Sequence, residues 1–177
     1  MGKITPGMRG PDLIHVFVLD VIHNSFREVS EVSGEAVPGG HFRVFDRRSQ
    51  KAIVKRDLGT IRPGKIRKRR ANARRKERAV CRRGAPDVVG SFSYRSADPE
   101  NERYPVWGGG VRSRRYVAAF SGFTEHADEL LVCVVLFRLN IIDTEEVRSI
   151  FEVSNNTLGK ETFQRFFAYH AKDRRPS

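Results

Sequence analysis

The residues with the clearest chemical potential in this chain are cations. Between Lys65 and Arg83 stand eleven Lys or Arg and one acid, Glu77, a net of +10. The whole chain has 33 basic and 21 acidic residues, a net of +12, so everything outside that window sums to only +2. Basicity is therefore the property of one element. At 100° per residue Ile66, Ala73, Val80 and Cys81 fall in one stripe, with Arg70 and Glu77 inside it and cations over the remaining circumference. That pattern predicts a helix over about 66–83 that rests a narrow apolar seam on the rest of the fold. Arg70/Arg74, Arg74/Arg78 and Arg78/Arg82 are like charges four apart, which repel. An anionic ligand or nucleic acid, an acidic patch of another subunit, or plain solvation would each accommodate them. A polyanion would be met by Lys68, Arg75, Arg78 and Arg82, on the side away from the Ile66–Ala73–Val80 seam. No aromatic residue is interleaved with the arginines from 62 to 83, so such contacts would reach phosphates and be indifferent to sequence.

Other chemistry is weakly signalled. His15, His23, His41, His126 and His170 make no HExxH, HxH or Cys-His cluster, so neither a zinc site nor any other metal site is predicted. The glycines at 108–110 lack the flanking strand, helix and Lys-Ser/Thr ending of a phosphate loop. Ser121-Gly122 lacks the first glycine of a nucleophile elbow. No catalytic residue is predicted, and a binding role is favoured over an enzymatic one.

The elements that must position these groups read as helix, two strands, helix, three short strands, then helices. Ile14, Phe17, Val18, Val21, Ile22, Phe26, Val29 and Val32 have helical spacing, closed by Gly34. Residues 41–46 and 51–59 form a hairpin across a turn at 47–50. Strands are expected at 88–95, around 104–111 and at 115–120. Thr124 is an N-cap with acids in the first turn, Asp143 with Glu146 makes a capping box, and Phe163, Phe166 and Phe167 lie on a last helical piece. The fold class is α/β in the loose, α+β sense: a central antiparallel sheet of about five strands flanked by helices. One domain is expected over 1–177, with its core at about 12–153, a helical appendage at 154–171 and a frayed tail at 172–177. The stretch 130–137 is apolar on every side, which requires packing on more than one layer, either the C-terminal helices or a second subunit.

Hydrophobic residues at 39% and charged residues at 31% are those of a globular chain, and no apolar run approaches the 20 or so residues of a membrane span. Cys81 and Cys133 make no disulfide framework, and the N-terminus has no apolar signal core, so a cytoplasmic setting without membrane contact is expected.

Two blocks carry a resemblance. WGGGVRSRRYVAAFSGFTEHADELLVCVVLFRL is similar to the closing block of the haem-associated GlcG and PduO C-terminal domain family: a glycine pair (Gly109, Gly110), a short strand pair, a Ser-Gly turn (Ser121, Gly122), and an aspartate seven residues after the serine (Asp128) opening a helix. Upstream, VFDRRSQKAIVKRDLGTIRPGKIRKRRANARRKERAV resembles the family's strand, turn, strand and lysine-containing helix, with Lys76 at the lysine position. The family's helix is Ala-rich and neutral, whereas this one is saturated with arginine. The resemblance implies a five-stranded antiparallel sheet, assembly into homo-oligomers, and a non-enzymatic small-molecule binding protein whose pocket is lined by Gly109, Gly110, Ser121, Gly122 and Asp128. Glycines admit a ligand close to the backbone, and Ser and Asp give polar anchors. A hairpin turn at Gly109-Gly110 and a helix cap at Ser121-Gly122 explain the same residues without a ligand. Haem, another tetrapyrrole or another anion is the candidate ligand, although no histidine matches a haem-ligand position. The alternative function is sequence-nonspecific binding of nucleic acid or another polyanion by the helix at 65–83.

Overall fold

The structure, a computed structural model, describes residues 10–34, 39–82, 92–93 and 109–168. Helix α1 (Gly10–Ser33) is followed by strands β1 (Gly39–Asp46) and β2 (Lys51–Gly59), and then by helix α2 (Ile66–Arg82). Strands β3 (Phe92–Ser93), β4 (Gly110–Arg112) and β5 (Tyr116–Ser121) lead to helices α3 (Glu125–Arg138), α4 (Thr144–Val153) and α5 (Thr157–Glu161). A final wide turn spans Gln164–Ala168.

The strands form one antiparallel sheet in the order β2-β1-β5-β4-β3. Its β3 edge is a ladder of two residues, so four strands of three residues or more carry it. β1 lies centrally, with His41 opposite Asp57 on β2 and opposite Ser121 on β5. A bulge between Val44 and Phe45 shifts the β1–β2 register near the hairpin turn, and β2 forms the outer edge. Of the strand residues expected at 88–95, those other than Phe92 and Ser93 lie outside the described residues.

Strand alternation divides the sheet into two chemically different faces. Phe42, Val44, Val54, Leu58, Ala118 and Phe120 are buried on one, against α1 and α3. There the Phe120 ring meets Phe26 of α1 with centroids 6.0 Å apart and Phe123 at 5.2 Å. Each such fully buried side chain is worth about 1.5–3 kcal/mol. The opposite face carries His41, Arg43, Asp57 and Ser121, and α2 lies across it, resting Ala73 and Val80 on the sheet as the apolar seam requires.

α3 is buried from Ala127 to Phe137. The extra layer this demands comes from within the chain: Phe167 sits 5.2 Å from Phe137 and 5.9 Å from Phe151, so residues 163–168, expected as part of an appendage, join the main hydrophobic cluster. Asp143 accepts from the Glu146 N–H while Glu146 accepts from the Asp143 N–H, the expected capping box. Among the described residues no helix is long and apolar enough to cross a membrane.

Candidate functional site

The two charged residues inside the apolar seam of α2 are both satisfied by the sheet. Arg43 of β1 donates to Glu77 through two nitrogens, at 2.8 and 3.2 Å. Arg70 donates to Asp57 of β2, which in turn takes the Nδ1 of His41 at 2.6 Å. Burial lowers the pKa of His41 and the Asp57 contact opposes that; Arg70 and His41 hold the Asp57 carboxyl below its ordinary range against some desolvation.

A third ion pair, fully interior, stands at the C-terminal end of β5. Lys76 Nζ lies 2.6 Å from Asp128 Oδ2 and donates to the Phe120 carbonyl at 3.0 Å. Asp128 Oδ1 accepts from the backbone N–H groups of Gly122, at 3.0 Å, and Phe123, at 2.7 Å. The carboxylate thus pins the turn that leads from β5 into α3 and sits in the first turn of that helix, where the dipole favours it. Burial pushes its pKa up to about 6, with Lys76 the largest pull downward. Gly109, at φ +98°, closes over the pair in the left-handed region that glycine tolerates.

This pair forms part of the wall of a cavity of about 640 Å³, within the range of small-molecule pockets. Ser121 and Asp128 line it, with Lys76 between them. Gly109, Gly110 and Gly122 stand behind that wall: Gly110 pairs with Ala119 in the sheet, and Gly122 packs against the Phe120 ring and Gly40. The structure therefore brings the five resemblance-derived residues to one place, where two are lining residues and three are backbone positions.

The cavity also recruits residues that the sequence pattern did not single out. Lys65, in the turn that leads into α2, and Arg69, Asn72 and Lys76 of α2 are spaced four, three and four apart along one flank of the helix. That spacing was readable on the helical wheel, hidden only by cations on every other side. Lys68 projects into this cavity too. Arg75 is exposed on the outer face, Arg78 turns to the opposite flank, and the side chain of Arg82 lies outside the described residues. The four expected polyanion contacts therefore do not share one surface.

Two features of the wall point to a ligand. Ser121 and Asn72 are buried to 2% and 9% exposure, and neither side chain has a hydrogen-bond partner among the described residues. Their polar atoms stay open to the cavity, where a ligand's hydrogen bonds can replace those made to water. The mouth carries Arg62, Lys65, Lys68 and Arg69, none of them paired with a carboxylate among the described residues, against one further acid, Glu125.

The wall does not fit haem. Among the described residues it presents no imidazole, thiolate or thioether as an axial ligand, and Ile61 and Phe123 are its apolar side chains, too few to cover two faces of a macrocycle. His41 is committed to Asp57. Among the described residues no three His, Cys, Asp or Glu side chains gather as a metal site would require.

Comparison of the chain with protein-family models, with curated proteins and with solved structures gives no match. Fold and site define it by class: an α+β protein with one helix laid across the polar face of an antiparallel sheet and a cation-rimmed cavity at that helix's flank.

Proposed function

We propose that the protein is a non-enzymatic binding protein for a small, multiply charged anion, held in the cavity between α2 and the N-terminus of α3. The observation that carries this reading is the pairing of two hydrogen-bonding side chains that open only to the cavity, Ser121 and Asn72, with a rim of four uncompensated cations. The cations attract and the buried pair orients, a division of labour common in ligand pockets. The Lys76–Asp128 pair is nearly neutral as a unit and fixes the wall rather than supplying net charge. The GlcG/PduO resemblance agrees with a binding role, but the cavity's donor set favours a compact polar anion over a tetrapyrrole.

Thermal shift with pyrophosphate, citrate and haemin tests this. Pyrophosphate or citrate should raise the melting temperature in a saturable way, and Ser121→Ala should weaken the response about tenfold, the loss of one hydrogen bond to a charged group. Lys65→Gln with Lys68→Gln should weaken it further. Haemin absorbance between 350 and 450 nm should be unchanged by the protein. No response to either anion, or a response indifferent to all three substitutions, would overturn the reading.

A further inference from the structure

The opposite flank of α2 faces the β1–β2 hairpin across an open groove of about 560 Å³. Its cations come from both sides: Arg74 and Arg78 from the helix, Arg47 and Lys55 from the hairpin. Among the described residues none of these four has a carboxylate partner, and the groove's one acid, Glu77, is already taken by Arg43. Arg47 is held by the carbonyl oxygen of Arg114 at 3.0 Å, which positions its guanidinium without neutralising it. Nearby, burial and the charge of Arg47 together lower the proton affinity of Arg112. The fold pairs Arg70, Arg115 and Arg138 with acids elsewhere and Arg43 with Glu77 inside the groove, so these four cations are left for a partner to neutralise.

We infer that this groove is a binding track for the phosphate backbone of a nucleic acid, separate from the small-anion cavity on the other flank. Length argues for a polymer. Arg67, Arg74 and Arg78 are exposed and fall at i, i+7 and i+11, one row along the helix. At 1.5 Å per residue that row is about 16 Å long, the reach of several consecutive phosphates at about 3.4 Å of rise each. A small anion would touch one or two of these groups and leave the rest opposed to one another. Wall chemistry argues against an acidic protein partner, because interfaces of that kind concentrate binding energy in apolar and aromatic anchors. Here Phe45, Ala52 and Cys81 are the groove's apolar side chains among the described residues, and Phe45 is half-buried. A single half-buried ring does not make a base-stacking platform either, so the track reads charge and spacing and not sequence.

Fluorescence anisotropy of the full chain with labelled 20-nucleotide single strands and 20-base-pair duplexes of two unrelated sequences tests this across a KCl series. With Arg47, Lys55, Arg67, Arg74 and Arg78 engaged, log affinity should fall against log salt with a slope of about −3.5 for single strands and about −4.5 for duplexes. The two sequences should bind equally. The triple variant Lys55→Gln, Arg74→Gln, Arg78→Gln should shrink either slope by about 2 to 3 and weaken binding at least about tenfold in 50 mM KCl. A charge-matched triple on the α1, α4 and α5 layer (Arg27→Gln, Arg148→Gln, Lys160→Gln) should change affinity by no more than about twofold. Equal losses in the two triples would reduce the effect to net charge and overturn the track. Unchanged affinity in the groove triple would also overturn it. Tighter binding to polyglutamate than to either oligonucleotide would assign the groove to an acidic polypeptide instead.

Discussion

Gly109 is seated so close to Asp128 that a Cβ on the glycine would lie 2.5 Å from the aspartate Cβ and 3.1 Å from Lys76 Nζ. The backbone leading into β4 and the first turn of α3 thus meet above the interior ion pair. Gly109→Ala should be destabilising for two reasons at once, a left-handed φ of +98° and a collision with atoms that have nowhere to go. The combined cost should be on the order of 3 kcal/mol. Gly34 separates the two contributions, because it has φ +62° with open space around its missing side chain. Gly34→Ala should cost about 1 kcal/mol. Urea denaturation of the two variants checks the ranking; equal losses would refute the collision.

The titration of Asp128 gives a second expectation. Its carboxyl is raised to about 6 from the ordinary 3.8, so between those values the folded protein holds a proton that the unfolded chain has released. Stability from this group is complete below about 3.8 and declines as pH rises through 6. Asp57 works in the opposite direction: Arg70 holds it low, and its contribution is present above the unfolded value and lost on acidification. Relative to Asp128→Asn, which cannot titrate, the wild type should therefore lose stability between pH 4 and pH 7.5, by up to about 3 kcal/mol. Denaturation of both proteins at the two pH values reads the difference directly. A constant difference would show that Asp128 titrates alike in the folded and unfolded states.

Removing the lysine should make the same dependence steeper. Lys76→Met takes away the charge that favours ionised Asp128, so the carboxyl should titrate at a still higher pH. At pH 7.5 the substitution should cost about 3 kcal/mol, and near pH 5, where Asp128 is already protonated, much less. Adding Asp128→Asn to Lys76→Met should recover part of the loss at pH 7.5, since the amide oxygen can still accept from Gly122 and Phe123 while no charge remains buried. A cost independent of pH, with no recovery in the double variant, would mean that Lys76 acts through packing alone.

Much of the fold was legible because it rests on local signals. The β1–β2 hairpin, the Thr124 start of α3 and the Asp143–Glu146 box are all set by residues within a few positions of one another. The seam of α2 was equally readable, since Ile66, Ala73 and Val80 share one stripe. What periodicity could not supply is which charges turn inward. Lys76 and Glu77 are adjacent in the chain and both buried, but their partners, Asp128 and Arg43, are 52 and 34 positions away. The pairing belongs to the packing of α2 across the sheet, and no spacing rule encodes it. Lys76 was marked in the sequence only through a family resemblance, and Asn72 was not marked at all, being one uncharged polar residue in a run of cations. The division of α2 into two flanks, one toward α3 and one toward the hairpin, likewise required the sheet to be in place.

The outer edge of the sheet has a consequence for crowded conditions. Among the described residues β2 leaves one side of its backbone without a neighbouring strand, the geometry through which sheets of separate molecules join and grow. Along it Lys51, Lys55 and Arg56 are exposed, and the bulge at Ile53 breaks the flat run of the ladder. Two copies approaching edge to edge would bring like charges together over a kinked border. These edge cations, of which Lys55 also belongs to the proposed phosphate track, act as a guard against self-templated stacking, so neutralising them with short polyphosphates in dilute salt should be the condition under which this edge first becomes adhesive.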